Sequence, residues 1–201
     1  MAKFIPLIVA AALTVTLAGC TVSDDSSGAE EPRTTTTSEA AKPSPTPSAS
    51  AVMTPLNLTV TDPDMGDSIA VTGIVRNFPK PASIVAPGEV ILVQVTVTAG
   101  SKFYAGWNES GAVLVNGSGE EFNSADLDSV AGPMAAAGYT PFSVANENGI
   151  VHTGKTGAPG WLTFIVDDTK GPLSFGTHHG DASIAGGGSI EAATYKVQIS
   201  E

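Results

Sequence analysis

Few residues of this 201-residue chain are of types that do chemistry. His178-His179-Gly180-Asp181 sets two imidazoles and a carboxylate within four residues, and both groups are transition-metal ligands. The spacing works against them, because adjacent strand residues point to opposite faces. The pair converges only in a loop, and the remaining histidine, His152, would have to arrive from elsewhere. The sequence favours solvated loop residues near a strand end, so it assigns no metal and no cofactor; His178, His179 and Asp181 are its metal-ligand candidates. Asp62-Pro63-Asp64-Met65-Gly66-Asp67 offers three carboxylates over six residues. A calcium loop of the EF-hand kind needs glycine sixth and glutamate twelfth, whereas Gly66 falls fifth and Gly73 twelfth. A polar turn between two strands is the expected outcome. Glu120-Glu121, Asp126 with Asp128, and Asp167-Asp168 are read in the same way, as turn residues of an acidic chain.

Nothing marks a nucleophile. No Gly-x-Ser-x-Gly elbow, no His-Glu-x-x-His and no phosphate-cradling loop ending in Lys-Ser or Lys-Thr occurs in the sequence. Gly186-Gly187-Gly188 reads as a flexible turn before a last strand. The expectation is a protein without catalytic residues.

The remaining reactive side chain is Cys20, the only cysteine. Ahead of it, Lys3 supplies a positive start and Ile5 to Leu17 an apolar run broken by Pro6, Thr14 and Thr16. That run is shorter than the roughly 20 apolar residues that span a bilayer, and it reads as an export signal. Leu17-Ala18-Gly19-Cys20 at its end resembles the lipobox of bacterial lipoproteins in every position. The resemblance implies a diacylglyceryl thioether on the Cys20 sulfur, cleavage after Gly19, and acyl chains such as palmitate that hold the chain on the outer face of the cell membrane. A single cysteine allows no intrachain disulfide, and alkylation removes the hazard of an unpaired exported thiol.

The elements that must present any site follow from composition. Residues 1–19 form the signal. Residues 20–52 contain a Ser-, Thr- and Pro-rich stretch, including Thr34 to Thr37 and Pro43, Pro45 and Pro47. Such a stretch buries too little apolar area to offset its conformational entropy and is expected to be a disordered tether. Residues 53–201 are long enough for one domain with one core. The formal net charge of -11, with only nine Lys and Arg, argues against a nucleic-acid partner and against a face lying on anionic lipid.

Past Met53, apolar residues recur at every second position. In Val90 to Thr98, Ile91, Val93, Val95 and Val97 share one face, with Gln94, Thr96 and Thr98 on the other, which predicts a strand with one buried face. Shorter signals occur at Leu58 to Thr61, Ile69 to Val75, Ala112 to Val115, Trp161 to Val166, Leu173 to Phe175 and Tyr195 to Ile199. Turn formers separate them, among them Pro87-Gly88, Asn116-Gly117 and Lys170-Gly171-Pro172. Ser124 to Ala137 has room for a turn or two of helix, limited by Pro133. Many short strands and little helix predict an all-β, immunoglobulin-like antiparallel β-sandwich without a disulfide, with Trp107 and Trp161 as large core fillers.

Leu58-Thr59-Val60-Thr61-Asp62, Gly88-Glu89 before the long strand, Gly160-Trp161-Leu162-Thr163-Phe164-Ile165-Val166 and then Pro172-Leu173-Ser174-Phe175 resemble, in order and pattern, the small immunoglobulin-like domains of exported lipoproteins. These include the domain of unknown function numbered 4352 and the mycobacterial immunogenic-protein sandwich. The resemblance implies a fold and no common activity.

Two function classes follow. One is a non-catalytic surface module that recognises a protein, a glycan or a cell-wall component; its candidate contacts are Tyr104 and Trp107 in Phe103-Tyr104-Ala105-Gly106-Trp107, and Tyr139 and Phe142 in Gly138-Tyr139-Thr140-Pro141-Phe142. The other is a carrier of a small ligand or metal at the membrane surface, which needs a concave site with convergent polar groups. In both, the membrane contact is the lipid on Cys20. The Cys20→Ala protein is expected to leave the membrane fraction or to accumulate uncleaved, as read by fractionation and gel mobility; unchanged retention and processing would refute the anchor.

Overall fold

Alternating apolar positions bounded by turns produce twelve strands in the computed structural model, which describes residues 51–103, 105–125, 128–184 and 186–200. The signal, Cys20, the tether to Ser50, Tyr104 and Asp126 lie outside the described residues. In chain order the elements are β1 (Met53–Asp62), β2 (Asp67–Phe78), β3 (Glu89–Thr98), β4 (Trp107–Asn108), β5 (Ala112–Val115), β6 (Glu121–Asn123), α1 (Asp128–Ala136), α2 (Phe142–Ala145), β7 (Ile150–Val151), β8 (Gly160–Val166), β9 (Ser174–His179), β10 (Ala182–Ser183), β11 (Ser189–Ile190) and β12 (Ala193–Gln198).

One sheet has the order β1-β2-β3-β8 and the other β12-β9-β5-β6, with β4-β7 and β10-β11 as two-stranded ribbons. Every pairing between these strands is antiparallel. The chain crosses from β3 to β5, returns so that β8 lies beside β3, and crosses again so that β9 lies beside β5. This double crossing is the one that links the two sheets of an immunoglobulin-type sandwich.

The inner faces close on each other through aliphatic and aromatic packing. Ile91, Val93, Val95 and Val97 from β3 meet Ala112, Leu114 and Phe175 of the opposite sheet, and all are fully buried. Phe164 meets Phe175 edge to face across the interface, with ring centroids 6.4 Å apart. Each such buried side chain contributes about 1.5–3 kcal/mol relative to exposure, which is how the sandwich coheres without a disulfide.

The outer face of the first sheet differs from the expectation of a solvated polar face. Its first half carries Val90 and Leu92, which pack with Val75, Phe78 and Trp161 beneath Val130 and Met134 of α1. The helix is therefore longer than the sequence suggested, running nine residues with Pro133 inside it. Burial of Val130 and Met134, one turn apart, offsets the amide that Pro133 lacks.

Both tryptophans fill the core as expected, and this removes most of the aromatic contact candidates. Trp107 and Phe142 are 4% and 1% exposed and meet edge to face at 5.4 Å. The Trp107 Nε1–H donates to Thr177 Oγ1 at 3.0 Å, which satisfies its one polar atom inside the protein. Tyr139 packs between Phe78 and Trp161, with centroids 6.1 and 4.7 Å away, and its hydroxyl donates to the Ala51 carbonyl. These rings serve packing; Gly138, in a turn at φ +82°, lets Tyr139 fold back onto the core, and Gly106 lets the chain pass close to the Val151 carbonyl beside Trp107. Replacing Trp161 with Ala should destabilise the domain by about 3–5 kcal/mol in denaturant titration, since a cavity would open under α1.

Candidate functional site

At one end of the sandwich, the inward-facing rows change from apolar to polar. On β1 the buried row reaches Val60 and then Asp62; on β2 it runs from Val71 through Ile69 to Asp67. On β9 it runs from Phe175 through Thr177 to His179. Because strand side chains alternate, Asp62, Asp67 and His179 occupy core-facing positions just where the core ends. Asp62 is 1% and Asp67 8% exposed.

The β1–β2 turn is built around Asp62. Its Oδ1 accepts the Asp64 and Met65 amides, each at 2.9 Å, and its carbonyl accepts the Gly66 amide at 2.7 Å. Gly66 has φ +85°, a left-handed conformation that glycine adopts without strain. Asp67 Oδ1 accepts the Gly100 amide at 2.7 Å, and Gly100 lies so close to the turn that a Cβ there would run into the Met65 carbonyl. The Lys102 ammonium donates to the Pro63 carbonyl. The turn is thus held from both sides.

From the second sheet, Tyr195 on β12 donates its hydroxyl to Asp64 Oδ2 at 2.5 Å. His179 Nε2 lies 3.7 Å from Asp62 Oδ2 and 3.5 Å from Asp64 Oδ2. Its other ring nitrogen, Nδ1, lies 3.2 Å from the Gly180 carbonyl. A cleft of about 230 Å³ opens beside these groups, lined by Asp62, Asp67, Asn108, Ser110, Thr177 and His179 among others. That space has room for several waters at about 30 Å³ each.

The site's charges perturb one another. The Tyr195 hydrogen bond holds the Asp64 carboxyl below its usual range, against a smaller opposing effect of desolvation. In return, the Tyr195 phenol is pushed up to about 12, chiefly by the same bond. Burial raises the Asp67 carboxyl, opposed by the Gly100 amide and reinforced by the charge of Asp62.

The chain matches no family model, no curated protein and no solved structure. The site is therefore read from its own geometry. Of the metal-ligand candidates drawn from the sequence, only His179 enters the cluster. His178 lies next to it on the strand and is exposed, as alternation requires. Asp181 is exposed and accepts the Ala192 amide at 2.7 Å, which ties down the strand end. His152 is exposed on another loop, 3.8 Å from Glu147. The carboxylates that meet His179 come instead from the Asp62–Asp67 segment, which the sequence assigned to a plain polar turn. A signal was present in the alternation: Asp62 and Asp67 continue the buried rows of Val60 and Ile69. The approach of Tyr195 and His179 from another sheet had no local signal.

Because the folded-state pKa of Asp64 is lowered, its hydrogen bond adds stability above the ordinary carboxylate value of about 3.9, and that stability is lost as pH falls through the lowered value. In Tyr195→Phe, the Asp64 carboxyl should titrate closer to its ordinary value by NMR. The stability gap between the two proteins should be constant above about pH 5 and close on further acidification. An unmoved Asp64 titration would refute the assignment.

Proposed function

We propose that the protein is a lipid-anchored extracytoplasmic lipoprotein whose β-sandwich is a non-catalytic binding module that holds a small ligand or metal at the membrane surface. The location rests on the lipobox pattern at Cys20 and on the tether that follows it. The mode of binding rests on one observation, the polar cleft at the end of the sandwich where Asp62, Asp67 and His179 face one another from two sheets.

The aromatic route to a macromolecular partner has less support, since Trp107 and Phe142 are core residues and Tyr139 is wedged against Trp161. Hydrolytic chemistry has less still. Among the described residues, His179 Nε2 has two carboxylates within 3.7 Å and no hydroxyl hydrogen-bonded to it for activation. A concave site with convergent polar groups and no poised nucleophile suits retention and release better than bond cleavage.

Native mass spectrometry of the protein extracted from membranes in mild detergent tests this reading. The expected result is acyl mass on the peptide that begins at Cys20, together with a small adduct on the folded protein that is lost on denaturation. A protein that carries no adduct but co-purifies with a stoichiometric surface protein or glycan would replace the cleft reading with the macromolecular one.

A further inference from the structure

Three atoms able to bind a cation converge at the rim of the cleft, one each from Asp62, Asp64 and His179, all within 4.8 Å of one another. The cluster is set apart from an ordinary acidic turn by the imidazole. His179 Nε2 is sealed from solvent and makes no hydrogen bond, on a side chain that is 11% exposed. Its distances of 3.7 and 3.5 Å to the two carboxylates exceed the hydrogen-bond range of about 2.7–3.2 Å. Two ligands sharing one tetrahedral cation at about 2.0–2.1 Å stand roughly 3.3–3.4 Å apart, near the two imidazole–carboxylate separations, and the two carboxylates, which lie within 4.8 Å, close on each other as the ion enters.

The surroundings fit the same use. Nδ1 faces the Gly180 carbonyl, which places the ring proton there and leaves the lone pair on Nε2. Asp62 spends Oδ1 on the turn amides and directs Oδ2 at His179. Asp64 Oδ2, the oxygen nearest His179, also accepts the Tyr195 hydroxyl, which fixes its position and leaves its other lone pair for a cation. One imidazole and two carboxylates form a nitrogen–oxygen donor set suited to zinc and its neighbours, and too poor in oxygens for calcium.

We propose that Asp62, Asp64 and His179 bind one divalent first-row transition cation of zinc's class at the edge of the cleft. The inference rests on the reading of the cleft as a small-ligand site and names the ligand. Three protein donors leave at least one coordination position open to the cleft, where water or a donor from a second molecule can enter, so the ion can be taken up and passed on.

The test is equilibrium dialysis of zinc chloride against the full chain carrying Cys20→Ser, which removes the only competing thiol. The expected result is one zinc per chain, with affinity at least tenfold weaker in His179→Gln and in Asp64→Asn and unchanged in His178→Gln and Asp181→Asn. Calcium in hundredfold excess should not displace it. Zinc should also raise the melting temperature of the parent and leave that of His179→Gln in place. If His179→Gln fails to fold, cobalt bound to the parent supplies the readout, through the ligand-field bands of a low-coordinate nitrogen–oxygen site. Unchanged affinity in His179→Gln, displacement by calcium, or cobalt bands of the hexa-aqua ion would overturn the proposal. A small adduct in the native spectrum without zinc binding would overturn the cation and leave the cleft reading standing, whereas loss of both would remove both.

Discussion

The two inner sheet faces must bury each other, because no disulfide can join them and each sheet alone would leave its apolar row in water. β3 stands at the centre of that constraint. Its inward row of Ile91, Val93, Val95 and Val97 is fully buried, and its outward residues Val90 and Leu92 are covered as well. A strand buried on both faces for half its length fixes the positions of β2 and β8 beside it and calls for a cover on the outer side. That cover is α1, whose Val130 and Met134 lie over Leu92 and Trp161. Pro133 is tolerated within the helix because tertiary burial, rather than the intrahelical ladder, holds it in place.

The same constraint shapes the polar end. A sandwich has to stop, and the inward positions at its ends are neither fully dry nor freely solvated. Here those positions hold Asp62, Asp67 and His179. Burying carboxylates near one another is unfavourable, as the raised Asp67 carboxyl records. The structure offsets this with backbone amides: Asp62 Oδ1 takes two and Asp67 Oδ1 takes one. Turn and site are therefore one object. The hydrogen bonds that shape the β1–β2 turn also leave one oxygen of Asp62 directed at His179.

Tyr195 and His179 link that turn to the second sheet. β1 and β12 are edge strands of their sheets, and the Tyr195–Asp64 bond spans the gap between them. At this end the edges are tied by a polar contact, while Leu56 and Leu58 of β1 and Val197 of β12 pack against the apolar core. Much of the site's geometry thus depends on how the two sheets are set against each other, and only a little on the turn's own sequence.

The sequence by itself determined the alternating strands, the all-β class and the absence of an intrachain disulfide, because period-two patterning and residue type are local properties. It read His178 and His179 as solvated loop residues, whereas both lie on β9 and His179 is turned inward. What only the tertiary structure decided was partnership. His179 meets Asp62 and Asp64, more than a hundred residues away, because the crossings between sheets bring the end of β9 over the β1–β2 turn. Asp181, two residues from His179, turns away to cap a neighbouring strand end. Trp107 and Phe142, set among turn residues, fold inward onto each other. Whether a loop aromatic faces water or the core, and whether a turn carboxylate stays solvated or completes a cluster, depends on what the opposite sheet places above it, and no short stretch of sequence contains that.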